Sequence, residues 1–166
     1  MTSTFDPIDP IDPIDPIELE FEVDCPPEHG FAVWTERLSR WWPADHTVTG
    51  DEDLTVVLEP RVGGRIFERT MTGAEHDWGA VTIWEPPAQL GYTWHLRRDP
   101  NDATDVEIRF LDAGDGRTIV RIEHGGWEQL GAEGRSWRDR NFGGWSSLLP
   151  HFVRAADAGV GTLGTD

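Results

Sequence analysis

Residues 58–94 read LEPRVGGRIFERTMTGAEHDWGAVTIWEPPAQLGYTW. Extended apolar segments are separated here by Gly63-Gly64, Thr72-Gly73 and Pro86-Pro87. The paired glycines permit the positive φ that a tight hairpin needs, and the prolines offer no backbone donor, so they must lie between strands and not inside one. The stretch therefore reads as an antiparallel meander, and the rest of the chain has to cover it.

On the N-terminal side, IELEFEV (17–23) alternates Ile17, Leu19, Phe21 and Val23 against Glu18, Glu20 and Glu22, the pattern of a half-buried strand. Pro26-Pro27 closes that strand and opens a helical segment with Glu28 in its first turn. Phe31, Trp34, Leu38 and Trp41 follow at helical spacing until Pro43, giving one bent helix or two short ones. Further strands are expected at 54–58, 65–71, 78–84, 90–96, 106–110 and 118–124, the last two joined across Gly114-Asp115-Gly116. In the last pair Val106, Ile108, Phe110, Val120 and Ile122 share one face, while Glu107, Arg109, Arg121 and Glu123 favour water. The 78–84 segment is apolar on both faces, so alternation does not assign its inward side.

After a turn at 127–130, Ser136 with Asp139 three residues on predicts a capping box for a closing helix. Phe142, Trp145, Leu148, Leu149, Phe152, Val153 and Ala156 give that helix a wide apolar stripe suited to lying on a sheet. Gly143-Gly144 and Pro150 interrupt it. Each glycine costs about 1 kcal/mol relative to alanine, and an interior proline roughly 3 kcal/mol, which points to local bending or to close approach by something else.

Composition excludes several function classes. The 166 residues suit one domain. With 31 acidic against 14 basic residues the formal charge is -17, which repels phosphate backbones and anionic lipid, so nucleic acid is not an expected partner. All 14 basic residues are arginine, which removes lysine Schiff-base and pyridoxal chemistry except at the N-terminal amine. A single cysteine, Cys25, leaves no internal disulfide and no CxxC pair, and a reducing, cytoplasmic setting fits. No secretion signal or membrane span is expected.

Residues 6–17 repeat Asp-Pro-Ile four times. Proline at every third position favours a polyproline-like path, which would align Ile8, Ile11, Ile14 and Ile17 in one stripe. That stripe could dock on a protein partner, but a solvated acidic tail is the simpler reading, because such a segment cannot bury enough surface to fold alone. The expected organisation is a tail at 1–16, a domain at 17–158 and a C-terminal tail at 159–166.

The runs EPRVGGRIFER, WGAVTIWEPPAQLGYTW, TDVEIRFLDAGDGRTIVRIEHGGWEQLG and GGWSSLLPHF resemble the activator-of-heat-shock-protein-90-ATPase homologue-like family. That family belongs to the START and birch-pollen-allergen-like (SRPBCC) superfamily, and the resemblance covers roughly residues 17–156. It implies an α+β helix-grip fold: a seven-stranded antiparallel sheet wrapped around a long C-terminal helix, with two short helices after the first strand. It also implies a cavity between sheet and helix, where members of the wider superfamily hold lipids, hormones or polyketides and a few act as cyclases. Fold alone does not fix chemistry. The DPI tail and Pro150 depart from the family pattern.

Nine tryptophans are a heavy load for this length. Their bland role is core packing, whereas their sharper role is to line a pocket, since indole rings leave gaps and their N–H groups need partners. Trp34, Trp41, Trp42, Trp84, Trp94 and Trp145 are the candidate lining rings, joined by Gly144 and Leu148 on the closing helix. His124, on the face of Val120 and Ile122, is the one candidate acid/base; a satisfied core histidine is the commoner outcome. Glu68 and Arg69 compete as a polar anchor, and which of them faces inward depends on whether the hairpin carries a bulge. No HExxH or clustered ligand set suggests a metal, and no dinucleotide fingerprint or GxSxG elbow is present, so no cofactor is expected.

The leading expectation is a module that binds a small hydrophobic, aromatic or lipid-like molecule, acting as a monomer or homodimer. A polyketide cyclase or aromatase using His124 is the enzymatic alternative. A chaperone-associated interaction protein is the third, invited by the family's name.

Overall fold

A computed structural model describes the backbone of residues 14–165 and the side chains of 14–157. The part of the DPI repeat that carries Ile8 and Ile11 lies outside the described residues. The chain runs β1 (Ile17–Val23), α1 (Pro27–Thr35), α2 (Leu38–Trp41), β2 (Thr55–Leu58), β3 (Arg65–Arg69), β4 (Glu75–Glu85), β5 (Gln89–Trp94), β6 (Thr104–Gly114), β7 (Arg117–Gly125) and α3 (Gly134–Thr165). The seven strands form one antiparallel sheet in the order β1-β7-β6-β5-β4-β3-β2, and α3 lies across it. This is the expected helix-grip arrangement.

The local reasons are plain. In β1 the glutamates face water while Ile17 and Val23 are almost wholly buried. Pro27 sits in the first turn of α1, where its missing N–H costs nothing, and Glu28 favours the positive end of the helix dipole. A break at Glu36 and Arg37 separates α1 from α2, so the segment is two short helices.

β4 explains why alternation could not assign its faces. The register with β3 skips Trp78, and the register with β5 skips Thr82. Two bulges in one strand bring Trp78, Val81 and Trp84 to the inner face at a spacing of three. Gly79 is needed at the first bulge, because a Cβ there would lie 1.8 Å from the Thr93 carbonyl oxygen.

α3 starts earlier than the capping signal suggested. A 3-10 turn at Trp127–Glu133 leads into Gly134, whose missing side chain lets the helix begin against the Trp127 carbonyl; an added Cβ would lie 2.2 Å from that oxygen. Ser136 is therefore inside the helix, and the Ser136/Asp139 capping box does not form. Trp145, Leu148, Phe152 and Ala156 are buried as the stripe predicts. Phe142 is not: it is 47% exposed, on the β1 flank of the helix where Leu149 and Val153 are also only half-buried. Pro150 falls on the exposed side, so the carbonyl that it leaves without a donor can face water.

Ile14, Asp15 and Pro16, assigned to the tail in the sequence reading, touch the domain. The Ile14 amide donates to the Glu128 carboxylate (3.0 Å), and Arg138 donates to the Asp15 and Pro16 carbonyls (2.6 and 3.2 Å). The last two turns or so of α3 likewise pass the boundary expected at 158. No helix of the described residues is long and apolar enough to cross a membrane.

Candidate functional site

The space between sheet and α3 is filled mainly by aromatic rings. Trp34 packs edge-on to Phe152 (4.7 Å between centroids), tilted against Trp41 (5.1 Å) and stacked on Trp145 (6.1 Å). Toward β5 and the segment after α2, the packing loosens into a cleft of about 60 Å³ lined by Trp42, His46, Trp94, Asn141, Gly144 and Trp145, with Leu96 and Leu148 at its edges. A second void of about 10 Å³ lies behind it, between Trp34, Trp42, Trp78, Tyr92 and Trp94. Trp42 and Trp94, 5.9 Å apart and inclined at 53°, form the wall shared by the two spaces.

A rim loop, residues 43–50, closes the cleft from one side, and buried polar groups hold it there. Glu68 faces inward on β3 and is fully buried, which resolves the Glu68/Arg69 alternative: the extra residue of the bulge lies on β4, so β3 itself alternates regularly. Its carboxylate accepts from the Val48 amide (2.6 Å), the Thr49 amide (3.0 Å) and the Trp78 indole (2.7 Å). Burial alone would raise the Glu68 pKa; these donors outweigh it and hold the group below the usual carboxylate value. From the other side Arg97, at a left-handed φ of 63°, donates to the Thr47 and Asp45 carbonyls (2.8 and 3.3 Å). The Trp42 indole donates to the His46 carbonyl (2.9 Å), which ties the ring at the cleft wall to the rim.

His124 sits behind Trp145 with no exposed surface. The Trp145 indole donates to His124 Nδ1 (3.0 Å), which leaves the proton on Nε2; that N–H donates to Thr104 Oγ1 (2.7 Å), and the hydroxyl in turn donates to the Trp94 carbonyl (3.2 Å). Burial, with a smaller contribution from the Arg98 charge, pushes the His124 pKa down to about 3. The ring is thus neutral, and both nitrogens are committed to protein partners. Proton transfer at His124 would require one of these bonds to break.

The other expected site residues fall into three groups. Trp42, Trp94, Gly144, Trp145 and Leu148 meet at the cleft. Trp34, Trp41 and Glu68 lie deeper; the Trp41 indole is committed to the Val33 carbonyl (2.9 Å). Trp84 stands apart, packed against Phe31 (5.1 Å), which in turn meets Phe110 (5.4 Å). The sequence reading missed His46, Leu96 and Asn141. Asn141 was legible as the residue one turn before Gly144–Trp145, but His46 depends on the path of the rim loop, which no periodicity encodes. The His46 imidazole reaches across to α3 with Nε2 3.4 Å from Ser147 Oγ, and burial lowers its pKa despite the opposing pull of Asp45, so it is a neutral base at pH 7. Among the described residues, no group of three or more His, Cys, Asp or Glu side chains is placed to hold a metal ion.

A fold of this kind, with an aromatic cleft between a seven-stranded sheet and a long closing helix, defines a helix-grip protein. Residues 24–156 match the family described as Activator of Hsp90 ATPase homolog 1-like protein, and the chain belongs to that family. Among solved structures it is similar to an anthrahydroquino-gamma-pyrone synthase, Txn09 (31% identity over 75% of this chain and 84% of that one, TM-score 0.55). It also shares its fold with CalC, a self-sacrificing resistance protein from Micromonospora echinospora (24% identity, 87% and 95% covered, TM-score 0.65). CalU16 from the same organism shares the fold too (20% identity, 83% and 71% covered, TM-score 0.58). A search of curated proteins found no match.

Proposed function

We propose that this protein binds a small, flat, largely aromatic molecule in the cleft between Trp42, Trp94 and Trp145. The observation that carries the reading is the pair Trp42 and Trp94, two half-buried indoles that together wall the cleft at the sheet–helix seam. Half-exposed rings in such a wall offer stacking surface to a planar guest. At about 60 Å³ the cleft is well below the roughly 300–1,000 Å³ of ligand sites, so a guest seats only as the cleft widens. Txn09, similar in sequence, is named for work on a fused aromatic ring system, which supports a polycyclic guest.

Titration of the chain with soluble polycyclic quinones, followed by tryptophan quenching, tests the reading. Micromolar binding that is lost on Trp42→Ala is expected. Millimolar or weaker binding of every compound would sink it.

The enzymatic reading draws on one specific observation beyond the similarity to Txn09: His46, neutral and at the cleft wall, is better placed than His124 to take a proton from a bound enolisable ligand. Under that reading, turnover falls at least about tenfold in His46→Gln with binding retained. The chaperone-associated reading rests on the family's name alone.

A further inference from the structure

The chain has more than two acidic residues for each arginine, and Arg61, Arg65, Arg69, Arg117, Arg121 and Arg138 all have carboxylates within ion-pair distance. Arg98 and Arg140 are two of the eight arginines that have none among the described residues, and both approach one indole. Their guanidinium carbons lie 5.2 and 4.8 Å from the Trp137 ring centroid. Trp137 is one turn from the cleft, and its carbonyl accepts from the Asn141 amide (2.9 Å), which lines that cleft. Two cations are therefore gathered on Trp137, next to the cleft-lining Asn141 and, through Arg98, the Trp94 carbonyl, in a protein whose overall charge is strongly negative.

The chemistry of the stack matters. A guanidinium lying on an aromatic face uses its π-surface and keeps its in-plane N–H groups free for a carboxylate-like partner. Arg98 spends several of its donors on the carbonyls of Trp94 (2.8 Å) and Asp102 and on Thr104 Oγ1 (3.3 Å). Arg140 makes no hydrogen bond among the described residues and is exposed. Burial pulls the Arg98 pKa below its usual value, only partly offset by Asp102, as expected of a cation short of counter-charge.

We propose that Arg98, Arg140 and the Asn141 amide form an anion-receiving rim, and that the preferred guest of the cleft is a flat aromatic molecule carrying an ionised acidic oxygen. This rests on the binding reading given above. The long-range field of the protein disfavours any anion, so the preference is a short-range one and arises only once the ring is seated.

Calorimetric titration of the full chain with three matched probes, 1-naphthoate, naphthalene-1-methanol and 1-naphthylmethylammonium, tests it at neutral pH and low salt. The naphthoate should bind about tenfold tighter than the alcohol, as a charge-assisted hydrogen bond allows, and the ammonium weakest. Arg140→Gln, an exposed change, should bring the naphthoate to the level of the alcohol while leaving the alcohol and the thermal midpoint unchanged. Equal affinities, a preference for the ammonium, or a naphthoate preference that survives in Arg140→Gln would each overturn the anion rim and leave the cleft standing. If none of the three binds, the cleft reading falls with it.

Discussion

The two ends of the sheet–helix interface use the same residue type for opposite purposes. At the centre, Trp41, Trp78 and Trp127 are buried and each indole N–H has a fixed acceptor: the Val33 carbonyl, the Glu68 carboxylate and the His124 carbonyl. At the rim, Trp42 and Trp94 are only half-buried, and the Trp42 N–H is tied to the His46 carbonyl of the rim loop. The central rings fill space and specify one packing, whereas the rim rings border space. A high tryptophan count thus does not by itself mean a pocket.

If the centre is structural, breaking it should be costly and should leave the rim's chemistry as a separate matter. Glu68→Ala strands the buried Trp78 indole N–H and removes the charged acceptor of the Val48 and Thr49 amides, so a loss of about 3 kcal/mol is expected in chemical denaturation. This is the largest effect anticipated.

His124→Leu should cost about 2 kcal/mol at pH 7 by leaving the Trp145 N–H unpaired. It should also change the response to acid. A histidine depressed from 6.5 to about 3 binds its proton in the unfolded chain first, so stability is full above pH 6.5 and falls as pH drops toward 3. The lowered Glu68 pKa acts in the same direction, below its own unfolded value. Denaturation midpoints followed from pH 7 to pH 4 should decline in the native chain and decline less in His124→Leu; parallel curves would show that the ring is not held neutral.

At the rim the ranking inverts. Trp42→Ala removes a half-buried ring and should cost only about 1–2 kcal/mol, below the 3–5 kcal/mol of a fully buried aromatic, while ligand affinity falls more than tenfold. Gly144→Leu is the sharpest separation. An added Cβ there meets only His46, at 4.0 Å, so removing a helical glycine should gain up to about 1 kcal/mol while the new side chain blocks the cleft. A variant that is more stable and does not bind would divide the two regions cleanly.

Much of the fold was legible because strand alternation and turn chemistry act locally. The strands and the apolar face of α3 follow from residues such as Ile108, Val120, Trp145 and Phe152, whose periodicity survives into the structure. The faces of β4 were not legible, since two bulges reset its alternation and a bulge is fixed by register with neighbours rather than by its own sequence. The site was half legible: Trp42, Trp94, Gly144, Trp145 and Leu148 meet, but Trp84 does not join them, because the sheet carries it to Phe31. His46 was missed because the rim loop is placed by Glu68 and Arg97, residues distant in sequence from it.

Indole N–H resonances read the central claim most directly, because each tryptophan reports separately. On titration of the ¹⁵N-labelled chain with a flat aromatic ligand, the signals of Trp42, Trp94 and Trp145 should shift together with one saturation curve, while those of Trp84 and Trp127 stay in place. Shifts confined to Trp84, or no shift at any indole, would contradict the account.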